Sequence, residues 1–158
     1  MRHPTCTWII RENDVFRVTR RYQFAASHRL HSLLLSEEEN DRAYGKCNHP
    51  YGHGHNYVLE VSARGPLDAV SGRAVDPARL DGLVAQQVLQ PFDHSNLNLQ
   101  VEAFQSLVPT SENLGFEICR RLKQNWSTVF AGDWPRLEKV RIEETPRNIF
   151  EVQADEIE

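Results

Sequence analysis

Two alternating stretches that run into histidines constrain this chain more than anything else in it. From Phe16 to His28, the residues Phe16, Val18, Tyr22, Phe24, Ala26 and His28 fall on one side of an extended backbone. Arg17, Thr19, Arg21, Gln23 and Ser27 fall on the other, and Arg20 is the single charge on the apolar side. From His53 to Ala63, the residues His53, His55, Tyr57, Leu59, Val61 and Ala63 share a side in the same way. Period-two patterning predicts two strands, each with one buried face. The first apolar face ends in a histidine and the second begins with two. An antiparallel pairing that aligns the faces therefore sets His28 beside His53 and His55. Residues i and i+2 of a strand lie about 6.6 Å apart at Cα, so two imidazoles reach one ion at about 2.0–2.1 Å each. Gly52 and Gly54 leave the outer side of the second strand bare, where another backbone or a ligand can come close.

The remaining elements follow in chain order. Ser36-Glu37-Glu38-Glu39 has the capping-box pattern and predicts a short surface helix. Leu33-Leu34-Leu35 ahead of it must pack on the sheet or on another subunit. Leu67 to Arg73 reads as a turn region between Gly65-Pro66 and Ser71-Gly72. Asp76-Pro77 reads as an N-cap followed by proline at the first helical position, and Leu80, Leu83, Val84 and Val88 give helical spacing up to Pro91. Phe92-Asp93-His94-Ser95-Asn96-Leu97 reads as a loop. A second long helix starts at Pro109-Thr110-Ser111-Glu112, with the stripe Leu114, Ile118, Leu122 and Trp126. After the turn Gly132-Asp133-Trp134-Pro135, Leu137 to Thr145 and Asn148 to Val152 predict a hairpin around Pro146-Arg147, and Val140, Ile142 and Glu144 share a face of its first strand. The order is strand, strand, helix, helix, strand, strand, an α+β pattern.

Composition narrows the class. The 158 residues are 40% hydrophobic and 25% charged, the balance of one folded domain over 1–158. A net charge of −4 argues against nucleic acid as partner, since that needs a basic stripe. No apolar run approaches the roughly 20 residues of a membrane span. Cys6, Cys47 and Cys119 are odd in number and scattered, which fits a reducing compartment and not a disulfide framework. Residues 1–14 carry only Trp8-Ile9-Ile10 as an apolar piece and are expected to be a partly disordered leader or an edge extension.

Three neutral imidazoles make a good zinc site with a fourth position open to water or substrate. Closure by Cys47 or His49 would instead make it structural. Cys47 lies six residues before His53, on the loop. A thiol near a dication and a histidine should have a lowered pKa and act as a base, although an inert buried cysteine fits the sequence as well. Asp93-His94 suits proton relay to a third group. Glu112 and Glu144 are carboxylates at element ends. Their plain readings are a first-turn helix glutamate and a surface partner of Arg141 or Arg147.

Six short motifs carry a family resemblance. They are Phe24-Ala25-Ala26-Ser27-His28-Arg29-Leu30, Gly45-Lys46-Cys47-Asn48, Gly52-His53-Gly54-His55-Asn56-Tyr57, Asp93-His94-Ser95-Asn96-Leu97, Thr110-Ser111-Glu112-Asn113 and Glu144-Thr145. In this order they resemble the signature set of the 6-pyruvoyltetrahydropterin synthases, over about Phe16 to Val152. The resemblance implies the tunnelling fold, a four-stranded antiparallel sheet with two helices packed on one face. It implies trimers whose sheets join into a barrel, stacked in pairs as a homohexamer with active sites between subunits. It implies zinc on His28, His53 and His55, and Cys47 as general base. Asp93 and His94 would complete the proton-transfer group from a neighbouring subunit. Glu144 would anchor the pterin, with Thr110, Ser111 and Glu112 nearby. The implied reaction is that of a cytoplasmic lyase of tetrahydrobiopterin biosynthesis. It converts 7,8-dihydroneopterin triphosphate to 6-pyruvoyltetrahydropterin, releases triphosphate and needs no external redox cofactor.

Two readings compete. A sister group makes 6-carboxy-5,6,7,8-tetrahydropterin on the route to queuosine, and there the cysteine commonly stands as Cys-x3-His-x-His. Here the spacing is Cys47-x5-His53-x-His55, which resembles the pyruvoyl-forming group. The other reading is a non-catalytic, zinc-stabilised assembly protein that keeps the fold; Cys47, Asp93, His94 and Glu144 together argue against it. His49 matches no family ligand. Lys46 and Arg29 are candidates for the triphosphate on charge alone.

Overall fold

The computed structural model describes residues 14–157, so Cys6 and nearly all of the expected leader lie outside the described residues. β1 (Val15–His28) and β2 (His53–Pro66) pair antiparallel along their whole length, from Val15 opposite Pro66 to His28 opposite His53. Their alternation fixes that register, because a one-residue slip would turn every apolar side chain to the wrong face. Between them lies α1 (Glu37–Tyr44). Ser36 Oγ accepts from the Glu39 N–H while the Glu39 carboxylate accepts from the Ser36 N–H, as the capping box requires. A 3₁₀ turn, Gly45–Asn48, follows it.

α2 (Pro77–Val84) is capped by Asp76, whose carboxylate accepts from the N–H groups of Ala78 and Arg79. The helix was expected to end at Pro91. It instead widens into a π turn, Ala85–Leu89, and continues as α3 (Gln90–Phe92). Proline lacks an N–H and crowds the carbonyl four residues back. The wider π turn, in which the Gln90 N–H reaches the Ala85 carbonyl, opens the ladder just before Pro91.

The stretch read as a loop contains a two-residue strand, β3 (Ser95–Asn96), followed by α4 (Leu97–Gln100) and a 3₁₀ turn at Glu102–Gln105. β3 pairs parallel with Ala26 and Ser27 of β1. Among the described residues the sheet therefore has five strands in the order β3-β1-β2-β4-β5, not four. A two-residue strand has no period to read, so its sequence gave no signal for it. α5 (Ser111–Val129), β4 (Arg136–Thr145) and β5 (Asn148–Gln153) follow the expected pattern.

The core lies between the sheet and the helices. Phe24, Ala26, Tyr57, Leu59, Val61, Ala63, Val140 and Ile142 face Leu80, Leu83, Val84, Val88, Leu114, Ile118 and Leu122, and all are buried. Each of the larger aliphatic and phenylalanine side chains contributes about 1.5–3 kcal/mol by leaving water. Arg20, the one charge on the apolar face of β1, pairs with Asp81 of α2 at 2.9 and 2.5 Å, and the Tyr22 hydroxyl donates to the same carboxylate. Of the two surfaces expected to cover Leu33-Leu34-Leu35, the sheet of this chain is not one, for all three are exposed. Leu33 and Leu34 are 90% and 95% exposed, because the chain there turns outward before α1.

Candidate active site

The strand pairing places His28 at the last position of β1 directly opposite His53 at the first of β2, with His55 two residues on. One ring nitrogen from each of the three lies within 4.8 Å of the others. His28 Nε2 and His53 Nε2 are 3.2 Å apart. His28 is 1% exposed, and its Nδ1 lies 2.8 Å from the Pro109 carbonyl. A carbonyl only accepts, so Nδ1 carries the proton and Nε2 turns a lone pair toward the cluster. That is how a metal-ligating histidine is commonly held by its outer partner. His55 Nε2 is buried without any hydrogen-bond partner among the described residues. Such an orphan costs about 1–3 kcal/mol, and a cation between the three rings would satisfy it together with the facing lone pairs. Burial pushes the His28 imidazole below its ordinary value, as it does for His53, with the neighbouring histidines adding to the effect. Both are held neutral, the state a metal ligand needs. The donor set fits a divalent metal. Among the described residues neither Cys47 nor His49 belongs to this cluster, and His49 is exposed.

Glu144 reaches the cluster from the end of β4. Its Oε1 lies 3.6 Å from His55 Nε2 and 3.9 Å from His28 Nε2. The Ser111 hydroxyl, at the first turn of α5, donates to Oε1 at 2.8 Å, and Asn148 Nδ2 donates to Oε2 at 3.3 Å. The plain reading made Glu144 a surface partner of Arg141 or Arg147; Arg141 instead pairs with Glu60 at 3.0 Å, and the hydrogen bonds to Glu144 come from Ser111 and Asn148. Thr110 caps α5 by accepting from the Asn113 N–H. Glu112 is exposed on the same first turn.

Cys47 sits half-buried on the 3₁₀ turn. The expected lowering of its pKa is not what the chain's own residues produce. Burial pushes the thiol up, and the Glu144 carboxylate pushes it further. Asp93 and His94 are not brought to Cys47 within the chain. The Asp93 carboxylate accepts from the Ala25 N–H at 2.8 Å and lies 3.0 Å from His94 Nδ1. The His94 N–H donates to the Ala25 carbonyl, and its φ of 57° turns the ring outward, 82% exposed. His94 shares a groove with Ser27, Gly54, His55 and Asn56.

One arrangement had no sequence signal. Buried Asn48 and half-buried Arg29 and Asn98 form a polar lattice beside the Cys47 turn, and only tertiary structure brings them together. Arg29, a triphosphate candidate on charge, spends its Nε and Nη2 on Asn48, while Lys46 is exposed.

A sheet-and-helix α+β fold that converges three histidines on one point, with a carboxylate beside them, defines a class: a candidate metal-dependent enzyme built on paired strand ends. The family model described as 6-pyruvoyl tetrahydropterin synthase matches residues 17–155, and the chain belongs to that family. It is 43% identical to a 6-pyruvoyl tetrahydrobiopterin synthase of Poecilia reticulata over 132 residues, covering 84% of this chain and 86% of that protein. It is 40% identical to the human protein of the same name over 133 residues, covering 84% and 88%. The solved Caenorhabditis elegans 6-pyruvoyl tetrahydropterin synthase matches with a TM-score of 0.80 at 42% identity, covering 89% of this chain and 96% of that one.

Proposed function

We propose that the chain is a zinc-dependent 6-pyruvoyltetrahydropterin synthase that converts 7,8-dihydroneopterin triphosphate to 6-pyruvoyltetrahydropterin with release of triphosphate. The observation that carries the reading is the convergence of His28, His53 and His55, with an unpartnered nitrogen on His55, beside the carboxylate of Glu144. The names of relatives that align over most of the chain support the choice of reaction. Three nitrogen donors with no thiolate among them suit zinc with an open position.

His28, His53 and His55 would hold the metal. Bound there, zinc would supply a Lewis acid for the substrate's side-chain oxygens, and its charge would oppose the burial and the Glu144 carboxylate that push the Cys47 thiol up. Glu144, aimed by Ser111 and Asn148, is the anchor for the pterin. A carboxylate accepts from a ring N–H and an adjacent amino group side by side, as it does from arginine. Cys47 takes a proton from the substrate side chain. Asp93 and His94, exposed just ahead of β3, serve the Cys47 of a neighbouring subunit. The working form is then an oligomer, which we read as a hexamer of two trimers. Free Cys47 and Cys119 fit a reducing, cytoplasmic setting. Among the described residues no helix is long and apolar enough to cross a membrane.

The test is turnover of 7,8-dihydroneopterin triphosphate by the zinc-loaded protein, with the product identified. Cys47→Ala should keep zinc and fold, and should lose turnover by roughly 10²–10⁴-fold. A 6-carboxytetrahydropterin product would move the chain to the sister activity. Zinc binding with no turnover would make it an assembly protein.

A further inference from the structure

We propose that Asn48 is a positioning residue for Cys47, acting through a clamp that ties the cysteine's turn to the strand end carrying His28. The inference rests on the reading of Cys47 as the proton-transfer group. Asn48 is 4% exposed and points away from solvent in an otherwise open loop. Its carboxamide is used at both ends. Nδ2 donates to Asp41 Oδ1 of α1 at 2.6 Å. Oδ1 accepts from Arg29 Nη2 at 3.2 Å and lies 2.8 Å from His31 Nδ1, which is also 3.2 Å from Arg29 Nη2. Its own backbone carbonyl accepts from Arg29 Nε at 2.9 Å. One residue back, the Cys47 carbonyl accepts from the Leu30 N–H at 2.8 Å.

The other side of the clamp is equally fixed. Arg29 follows His28 directly, and its backbone is held from both sides by Asn98, which accepts from the Arg29 N–H at 2.8 Å and donates to the Arg29 carbonyl at 3.0 Å. The far end of the loop is seated on the same strand end. Gly52 has φ +67°, and a Cβ there would meet the His28 carbonyl oxygen at 2.6 Å. The Cys47 turn is thus docked on residues 28–30, and the sulfur keeps a set place relative to the His28 ring. Only a side chain with a donor and an acceptor meets Asp41 on one side and Arg29 with His31 on the other. Buried networks of this kind hold one geometry when every member is satisfied. A misplacement near 1 Å in such a group costs on the order of 10²-fold in rate.

The clean perturbation keeps the shape and reverses the polarity. Asn48→Asp sets a carboxylate against Asp41 and removes the donor, so its turn should loosen. Expected are a fall in kcat of about 10- to 100-fold with KM and zinc content unchanged, and faster amide hydrogen exchange confined to residues 45–52. The double change Asn48→Asp with Asp41→Asn restores a donor facing an acceptor and should recover most of kcat and the slow exchange. Asp41→Ala, at an exposed helix position, removes the same acceptor from a distance and should give a smaller effect of the same kind if Asn48→Asp does not fold. Unchanged kcat in both single variants, a loss matched by lost zinc, or a swap that recovers nothing would each overturn the proposal. If the wild-type protein does not turn over dihydroneopterin triphosphate, the functional reading fails by itself. The exchange pattern still tests the clamp, and unchanged exchange in residues 45–52 would overturn it.

Discussion

At the scale of single residues, the site is set by where burial places neutral groups. His28 and His53 have a common ordinary value of 6.5, and burial lowers both in the folded chain. In the unfolded chain they take protons near that ordinary value. Between the folded and unfolded values the unfolded state binds more protons, so stability rises with pH across this window. For the metal-free protein, stability is full above about pH 7 and falls as pH drops below about 6.5. Chelator-treated protein should therefore melt at a constant temperature above about pH 7 and at progressively lower temperature from there to about pH 5.5, and His28→Asn should flatten the slope. A melting temperature independent of pH over that range would contradict the burial argument. Cys47 obeys the same physics with the opposite consequence: burial keeps its proton on, so the thiol becomes a base only when positive charge is added nearby.

At the scale of elements, each functional side chain stands at an end: His28 ends β1, His53 begins β2, Glu144 stands next to the end of β4, and Ser111 begins α5. Strand ends leave the face of the sheet open where the helices stop, and helix starts offer side chains that are not committed to the core. Thr110 shows how an end residue can carry structural weight. It was grouped with the pterin-binding residues by resemblance, yet its hydroxyl accepts from the Asn113 N–H and caps α5. Thr110→Ala should cost about 1 kcal/mol in urea unfolding. Because Ser111, next in the chain, aims Glu144, the frayed first turn should also raise KM with little change in kcat. Unchanged stability with a large fall in kcat would show that Thr110 acts on the substrate and not on the helix.

At the scale of the whole molecule, one chain does not assemble the proton-transfer group that the proposed reaction needs. Cys47 lies near Glu144 of the histidine cluster, and His94 stands exposed beside β3 in a groove with Ser27, Gly54 and His55. Among the described residues β5 leaves an edge of the sheet unpaired, and Leu33, Leu34, Tyr51 and Leu99 expose apolar surface. Open edges and apolar patches call for a partner. If the site is shared between copies, the inactive variants Cys47→Ala and His94→Ala should complement each other. Co-refolded at equal amounts, they should recover up to about a quarter of wild-type turnover, since a head-to-tail interface pairs an intact Cys47 with an intact His94 in that share of sites. No recovery, with both variants running as oligomers in light scattering, would put the two groups in separate roles.

Much of this was legible in the sequence. Strict alternation fixed β1 and β2, and because both apolar faces run into histidines, it fixed the meeting of His28 with His53 and His55 as well. The Asp76 and Ser36 caps, the α5 stripe and the β4–β5 hairpin were legible for the same reason: local periodicity and turn chemistry act over a few residues. Features that depend on distant partners were not. β3 is two residues long and is a strand only because Ala26 and Ser27 lie beside it. The π turn before Pro91 answers a local clash, yet the helix continues only because Val88 and Phe92 are buried against the sheet. The direction of the Cys47 shift follows from burial and from Glu144, 97 positions away in sequence. The Asn48 clamp joins residues 29, 41 and 48 with Asn98, whose spacing carries no pattern at all. Sequence by itself determined which side chains share a face. Only the tertiary structure decided which of them share a dielectric, because solvent exclusion is a property of the packed whole.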